Sequence, residues 1–200
     1  MGAEQTVFVV DDDEAARDSL AFLLESADRK VRAFSDPTKV VAAVDGETCC
    51  VVTDVRMPEM SGLELVERLK AAHPDLPVIV ITGHADVAMA VEAMKKGAAD
   101  FLEKPFDDDA LLRVIDQALM AGASEPVDAE TARRLASLST RERQVLDGLM
   151  AGQSNKEIAR DLDISPRTVE IYRAKVMAKM EADTYADLIR SGLKAGAGRF

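Results

Sequence analysis

Four acids, one hydroxyl and one base carry the chemistry that this 200-residue sequence offers. Asp11, Asp12 and Asp13 follow the apolar run "TVFVV", and Asp54 closes the run "CCVVT". Thr82 follows "PVIVI", and Lys104 with Pro105 follows "ADFLE". A buried strand does not end on a charge unless the charge has a partner or a task. Two or three carboxylates brought together are hard oxygen ligands, suited to one octahedral Mg²⁺ that keeps several waters. Such an ion, with a lysine and a hydroxyl beside it, would neutralise a phosphoryl group. On this reading Asp54 is a nucleophile that carries the phosphoryl group, with Thr82 and Lys104 at its side.

These residues meet only if the strands that end on them lie side by side. Apolar runs at 6–10, 30–34, 49–53, 77–81 and 99–103 alternate with amphipathic stretches at 14–26, 37–44, 62–72, 85–96 and 108–120. Three of the runs are continuously apolar, as strands covered on both faces of a parallel sheet must be. Five such units predict an α/β fold with a doubly wound, five-stranded parallel sheet whose site lies at the carboxyl ends of the strands. Asp13 reads as a helix cap, residues 107–109 as a solvated helix start, and His73 and His84 as isolated loop residues. Cys49 and Cys50 should point to opposite faces of a strand, which favours buried thiols over a disulfide and a cytoplasmic setting.

The net charge is −11, and it is unevenly spread. Residues 1–122 hold 12 Lys and Arg against 24 Asp and Glu, whereas residues 123–200 hold 13 against 12. Halves so different suggest two domains with different partners. No window approaches 18 uncharged apolar residues, so no membrane partner is expected. The N-terminus lacks a secretory pattern and reads as unlipidated. After residue 121, "AGASEPVDAETARR" reads as a linker and the start of a connecting helix, and only helical patterns follow. They cover 140–150, 155–162, 165–180 and 184–193, with Gly152 ending one helix and Ser154 or Asn155 capping the next.

The helices at 155–162 and 165–180, joined by a short turn, have helix-turn-helix spacing. Ile158, Leu162, Ile164, Val169 and Val176 supply the packing between them. Arg167, Thr168, Glu170, Arg173, Lys175 and Lys179 are expected to face outward, with Asn155 and Lys156 at the start of the preceding helix. That face suits phosphate contacts and base-edge reading on double-stranded DNA.

The segments "VVDDDEAARDSLAFLL", "VVTDVRMPEMSGLELVERLK" and "VIVITGHADVAMAVEAMKKGAADFLEKPF" resemble the receiver domain of two-component response regulators. The resemblance implies a flavodoxin-like sheet, phosphate transfer to Asp54 from the phosphohistidine of a sensor histidine kinase, and Mg²⁺ held by Asp11, Asp12, Asp54 and the Arg56 carbonyl. It also implies that Thr82 and Lys104 touch the phosphoryl group, that Lys104–Pro105 is a cis peptide, and that Phe101 is an aromatic switch. The common Gly near Asp28 and Arg29 is missing, in a turn away from the site. "LSTRERQVL", "GQSNKEIA" and "ISPRTVEIYRAKVMAKM" resemble the LuxR/NarL-type DNA-binding domain, with Tyr172 where His is frequent.

The combination looks most like the FixJ subfamily. That likeness implies a haem kinase as activator and microaerobic or nitrogen-fixation genes as targets, although regulators of the same architecture answer other signals. The expected organisation is a receiver domain at 1–121, a linker and connecting helix at 122–136, and a small all-α helix-turn-helix domain at 137–200. Phosphorylation should drive homodimerisation through the face of 85–96, 99–103 and 108–120, promoter binding, and contact with RNA polymerase. An enzymatic rival, a phosphatase with an aspartyl-phosphate intermediate, would want a second aspartate two residues after the nucleophile. Arg56 stands there, so no enzyme is expected.

Overall fold

The chain is seen in a computed structural model that describes residues 5–83, 87–120, 129–182 and 184–194. His84, the first part of the expected linker (122–128) and the last six residues lie outside them. The chain divides into two compact units, Met1–His84 with Lys95–Ala123, and Ala85–Met94 with Ser124–Phe200.

Strands β1 (Thr6–Val10), β2 (Lys30–Phe34), β3 (Thr48–Asp54), β4 (Val78–Thr82) and β5 (Asp100–Glu103) form one sheet in the order β2-β1-β3-β4-β5. Every pairing is parallel, as the doubly wound expectation requires. Helices α1 (Glu14–Ser26), α2 (Val40–Ala43), α3 (Gly62–Ala72), α4 (Val87–Lys95) and α5 (Asp108–Met120) follow the strands in turn. Strands β1 and β4 are buried along their whole length, while β2, at the edge, leaves Lys30 and Arg32 in water. Where a longer helix was expected at 37–44, Pro37–Lys39 makes a single 3₁₀ turn and α2 adds only four residues. Val44, in an extended conformation, ends it there.

Val7 and Val9 of β1, Cys50 and Val52 of β3, and Ile79 and Ile81 of β4 pack with Leu20, Leu24, Leu111 and Ile115 of α1 and α5. Each such side chain, fully removed from water, contributes roughly 1.5–3 kcal/mol before entropy is counted. Both cysteines are free. Cys50 is fully buried, and burial pushes its thiol far above the ordinary range. Cys49 is only half-buried, because β1 pairs Thr6 with Thr48 and Val7 with Cys50, so Cys49 is the extra residue of a bulge. Its Sγ lies 3.4 Å from the Thr6 carbonyl oxygen. Strict alternation of the two thiols, expected from the sequence, therefore fails at the bulge.

In the second unit α6 (Ala129–Ala136), α7 (Thr140–Met150), α8 (Asn155–Leu162), α9 (Pro166–Met180) and α10 (Tyr185–Lys194) are all helices. Reciprocal capping by Ser139 with Glu142 and by Ser154 with Glu157 sets the starts of α7 and α8. Gly152, at φ 78°, ends α7 as expected. A methyl on Gly148 would stand 2.8 Å from Ile158 Cγ1, so α8 lies flush on α7 only because residue 148 has no side chain. Ile158, Val169 and Val176 are buried between the helices, with Leu162 and Ile164 half-buried. The turn to α9 passes through Asp163 in the left-handed region, and Ser165 caps α9.

Candidate functional site

Register brings the acids together. Val10 of β1 pairs with Thr53 of β3, so Asp11 and Asp54, each one residue further, stand level across the point where strand order reverses. Asp54 pairs with Ile81 and Thr82 with Glu103, which puts Thr82 and Lys104 at the same edge. Asp11 is 2% exposed, Asp54 9% and Thr82 1%, an unusual concentration of buried polar groups.

One ammonium holds the two carboxylates. Lys104 Nζ lies 3.0 Å from Asp11 Oδ2 and 2.9 Å from Asp54 Oδ1. Burial works against the Lys104 charge, yet hydrogen bonds and Coulomb attraction from Asp54 and Asp11 outweigh it and raise its pKa above the ordinary lysine value. The other oxygens are also engaged: the Arg56 backbone N–H donates to Asp54 Oδ2 (2.7 Å) and the Asp13 N–H to Asp11 Oδ1 (3.0 Å). Asp13 caps α1 by accepting from the Ala16 N–H, as expected. The Lys104–Pro105 peptide is cis, in agreement with the resemblance. Phe101 is already 7% exposed, its ring inside the fold.

The site fits Mg²⁺ by its donor chemistry. All its side-chain donors are hard oxygens, and Lys104 answers only one of two buried negative charges. Asp12, at the same strand end, is exposed. Among the described residues no group of three His, Cys, Asp or Glu side chains converges on one point. The arrangement suits an ion that takes one or two carboxylates and keeps its waters, rather than an all-protein cage.

Gly62 was not singled out by the sequence, yet it sets the distance between α3 and β3. A Cβ on it would lie 2.0 Å from the Asp54 carbonyl oxygen. The only signal was its place between the cap Ser61 and the first apolar residues of a helix.

The helix-turn-helix residues do not all face outward. Arg167, Glu170 and Lys175 of α9 and Lys156 of α8 are exposed. The Thr168 hydroxyl is shared with Ser165 at 2.8 Å, and the Lys175 ammonium lies 5.6 Å from the centre of the Tyr172 ring. Arg173 is a correction to the expected outward face. Its guanidinium is half-buried, donates to Asn155 Oδ1 and stacks 4.7 Å from the centre of the Tyr185 ring. Lys179 is exposed as expected, but its ammonium is engaged by Glu142 Oε2 at 2.7 Å and the Ser137 carbonyl at 3.1 Å.

The Lys179 hydrogen bond and the Ser139 N–H hold the Glu142 carboxyl at about 2, well below its ordinary value of 4.5. A depressed carboxylate stabilises the fold fully above its unfolded pKa, and that stability is lost as pH falls through the folded value. Glu142→Gln keeps an acceptor for the cap but loses the charge. Thermal unfolding of α-helical signal should therefore fall less steeply in Glu142→Gln than in wild type between pH about 4.5 and 2. Equal slopes would remove Glu142 from the acid response.

The family described as "Response regulator receiver domain" matches residues 7–116, and "Bacterial regulatory proteins, luxR family" matches residues 136–191. The chain is 53% identical over 195 residues to the transcriptional regulatory protein FixJ of Bradyrhizobium diazoefficiens, covering 95% of each. It is 50% identical over 200 residues to the FixJ of Rhizobium meliloti, covering 98% of each. Full-length FixJ from B. japonicum, solved by crystallography, matches at 51% identity with a TM-score of 0.56, over 97% of this chain and 98% of that one.

Proposed function

Because the chain belongs to the two-component response regulators, with a receiver and a LuxR-type DNA-binding domain of the FixJ subfamily, we propose that Asp54 is its phosphoacceptor. As a member of that family it is a phosphorylation-dependent regulator of transcription. The observation that carries the assignment is the buried pair of carboxylates, Asp11 and Asp54, bridged by Lys104.

Attack by an Asp54 carboxylate oxygen on phosphorus forms an acyl phosphate, and the histidine nitrogen of the sensor kinase leaves. Lys104, already at Asp54 Oδ1, follows the charge onto the phosphoryl oxygens, and the Thr82 hydroxyl donates to another. The Arg56 N–H keeps the carboxylate aimed. Asp11, Asp12, Asp54 and the Arg56 carbonyl would hold Mg²⁺, which supplies positive charge against the phosphoryl oxygens. Thr82 would be drawn to the phosphoryl group with Phe101, already inside the fold, holding the inward position of the aromatic switch, and residues 85–96, 99–103 and 108–120 would supply the homodimer face. Paired helix-turn-helix units then bind promoter DNA and contact RNA polymerase. The reading divides the chain into receiver (1–121), linker (122–136) and DNA-binding domain (137–200), acting in the cytoplasm.

The FixJ likeness favours an activator of the microaerobic or nitrogen-fixation type over a regulator of the same build with another signal. No hydrolytic activity belongs to this reading, since the position two residues after Asp54 is Arg56. Intact-mass spectrometry with Mg²⁺ and a small phosphodonor should show one added phosphoryl group on the wild type and none on Asp54→Asn. Equal uptake by both would place the acceptor elsewhere.

A further inference from the structure

The turn that follows β1 is held at several points. The Asp11 N–H donates to the Phe34 carbonyl (3.2 Å), and Asp11 Oδ1 accepts from the Asp13 N–H (3.0 Å). The Asp11 backbone carbonyl lies past the strand pairings, on a residue that is 2% exposed, and needs a partner of its own. Arg17 supplies it: Nη1 donates to that oxygen at 2.9 Å. Arg17 stands in the first turn of α1, where side chains lean back toward the helix N-terminus, so its guanidinium reaches past the cap Asp13 to Asp11. Acids surround Arg17 in sequence, at Asp12, Asp13, Glu14 and Asp18, yet among the described residues it is ion-paired with none of them. A cation that passes over carboxylates for a neutral carbonyl is placed for geometry more than for charge.

We infer that Arg17, by holding the Asp11 carbonyl, is a positioning residue that aims Asp11 and Asp12 at the divalent cation; this rests on the Mg²⁺ reading proposed above. The Asp11–Asp12 peptide is planar, so an oxygen held at one end fixes the direction in which the chain leaves toward Asp12. The Asp12 carboxylate is exposed, and among the described residues no hydrogen bond or ion pair holds it, so its direction is set by its backbone. Arg17 thereby presents Asp12 beside the buried Asp11. Groups that orient metal ligands from behind commonly change metal affinity by about 10- to 100-fold. The sign of the effect separates this role from a plainly electrostatic one. A positive charge near the site repels a divalent cation, so charge alone makes loss of Arg17 tighten binding. Positioning makes its loss weaken binding.

The test reads metal binding without phosphoryl transfer, by electron paramagnetic resonance titration of the full-length chain with Mn²⁺. Wild type should bind Mn²⁺ saturably, in competition with Mg²⁺. Arg17→Gln, which keeps a shorter neutral donor, should bind about 10-fold more weakly. Arg17→Lys keeps the charge without the planar fork and should fall between the two. The Mg²⁺ needed for half-maximal phosphoryl uptake should shift in the same order, and excess Mg²⁺ should restore uptake. A general loss of fold would not be restored in this way, and circular dichroism checks the fold independently. Should Arg17→Gln not fold, Arg17→Lys decides: affinity equal to wild type there means that only charge counts. Equal affinity in all three chains, or tighter binding by Arg17→Gln, overturns the role of Arg17 and leaves the Mg²⁺ reading standing. If wild type itself binds no Mn²⁺, that reading falls and takes this inference with it.

Discussion

Lys104→Met should leave a chain that folds but no longer answers a phosphodonor. The ammonium bridges two carboxylates that are 2% and 9% exposed, whose other oxygens accept from the neutral Asp13 and Arg56 backbone N–H groups. Its hydrogen bonds are charge-assisted, each worth about 1.5–3 kcal/mol. If one of them is made to the transferring phosphoryl group, phosphoryl uptake should slow by roughly 10- to 100-fold. Intact-mass time courses measure the effect. Uptake at the wild-type rate, followed by wild-type assembly, would reduce Lys104 to a structural counter-ion.

Gly62→Ala should damage fold and site together. The added carbon would lie 2.0 Å from the Asp54 carbonyl oxygen and 2.9 Å from the carbonyl carbon, and neither backbone atom can rotate away. Helix α3 would have to lift off the acceptor strand, breaking the Gly62 N–H bond to the Val55 carbonyl (2.9 Å). Overpacking of this kind costs about 1–3 kcal/mol, and occasionally more. For a domain of this size that is a fall in Tm of roughly 5–15 °C. Because the strain falls on the residue that carries the acceptor, phosphoryl uptake should fall below what the lost stability alone explains. Thermal denaturation and uptake measured on one preparation separate the two. Unchanged values for both would mean that the close approach of Gly62 to Asp54 does not hold α3 against β3.

The acceptor site was legible because its residues lie at strand ends, where parallel register converts sequence position into spatial level. Continuous apolar runs announced β1, β3 and β4, and the residues beyond them, Asp11, Asp54 and Thr82, fell on one edge without further information. The bulge at Cys49 was not legible, since the same letters serve a regular strand. Gly62 was hidden for a related reason: a glycine's close approach depends on a backbone 8 residues away in sequence and carries no local pattern. On α9 periodicity told which residues leave the core, but not which exposed charges are recaptured. Arg173 found Asn155 and Tyr185, and Lys179 found Glu142, all from other helices.

Phosphate at Asp54 should change the assembly of the chain. Sedimentation of the full-length protein with Mg²⁺, with and without a small phosphodonor, beside Asp54→Asn, measures it directly. The prediction is a shift from monomer to dimer in wild type on phosphodonor addition, and a monomer throughout for Asp54→Asn. Phosphate on Asp54 with no change of assembly would contradict the dimer mechanism, and no phosphate at all would make the Asp11–Lys104–Asp54 bridge a structural feature only.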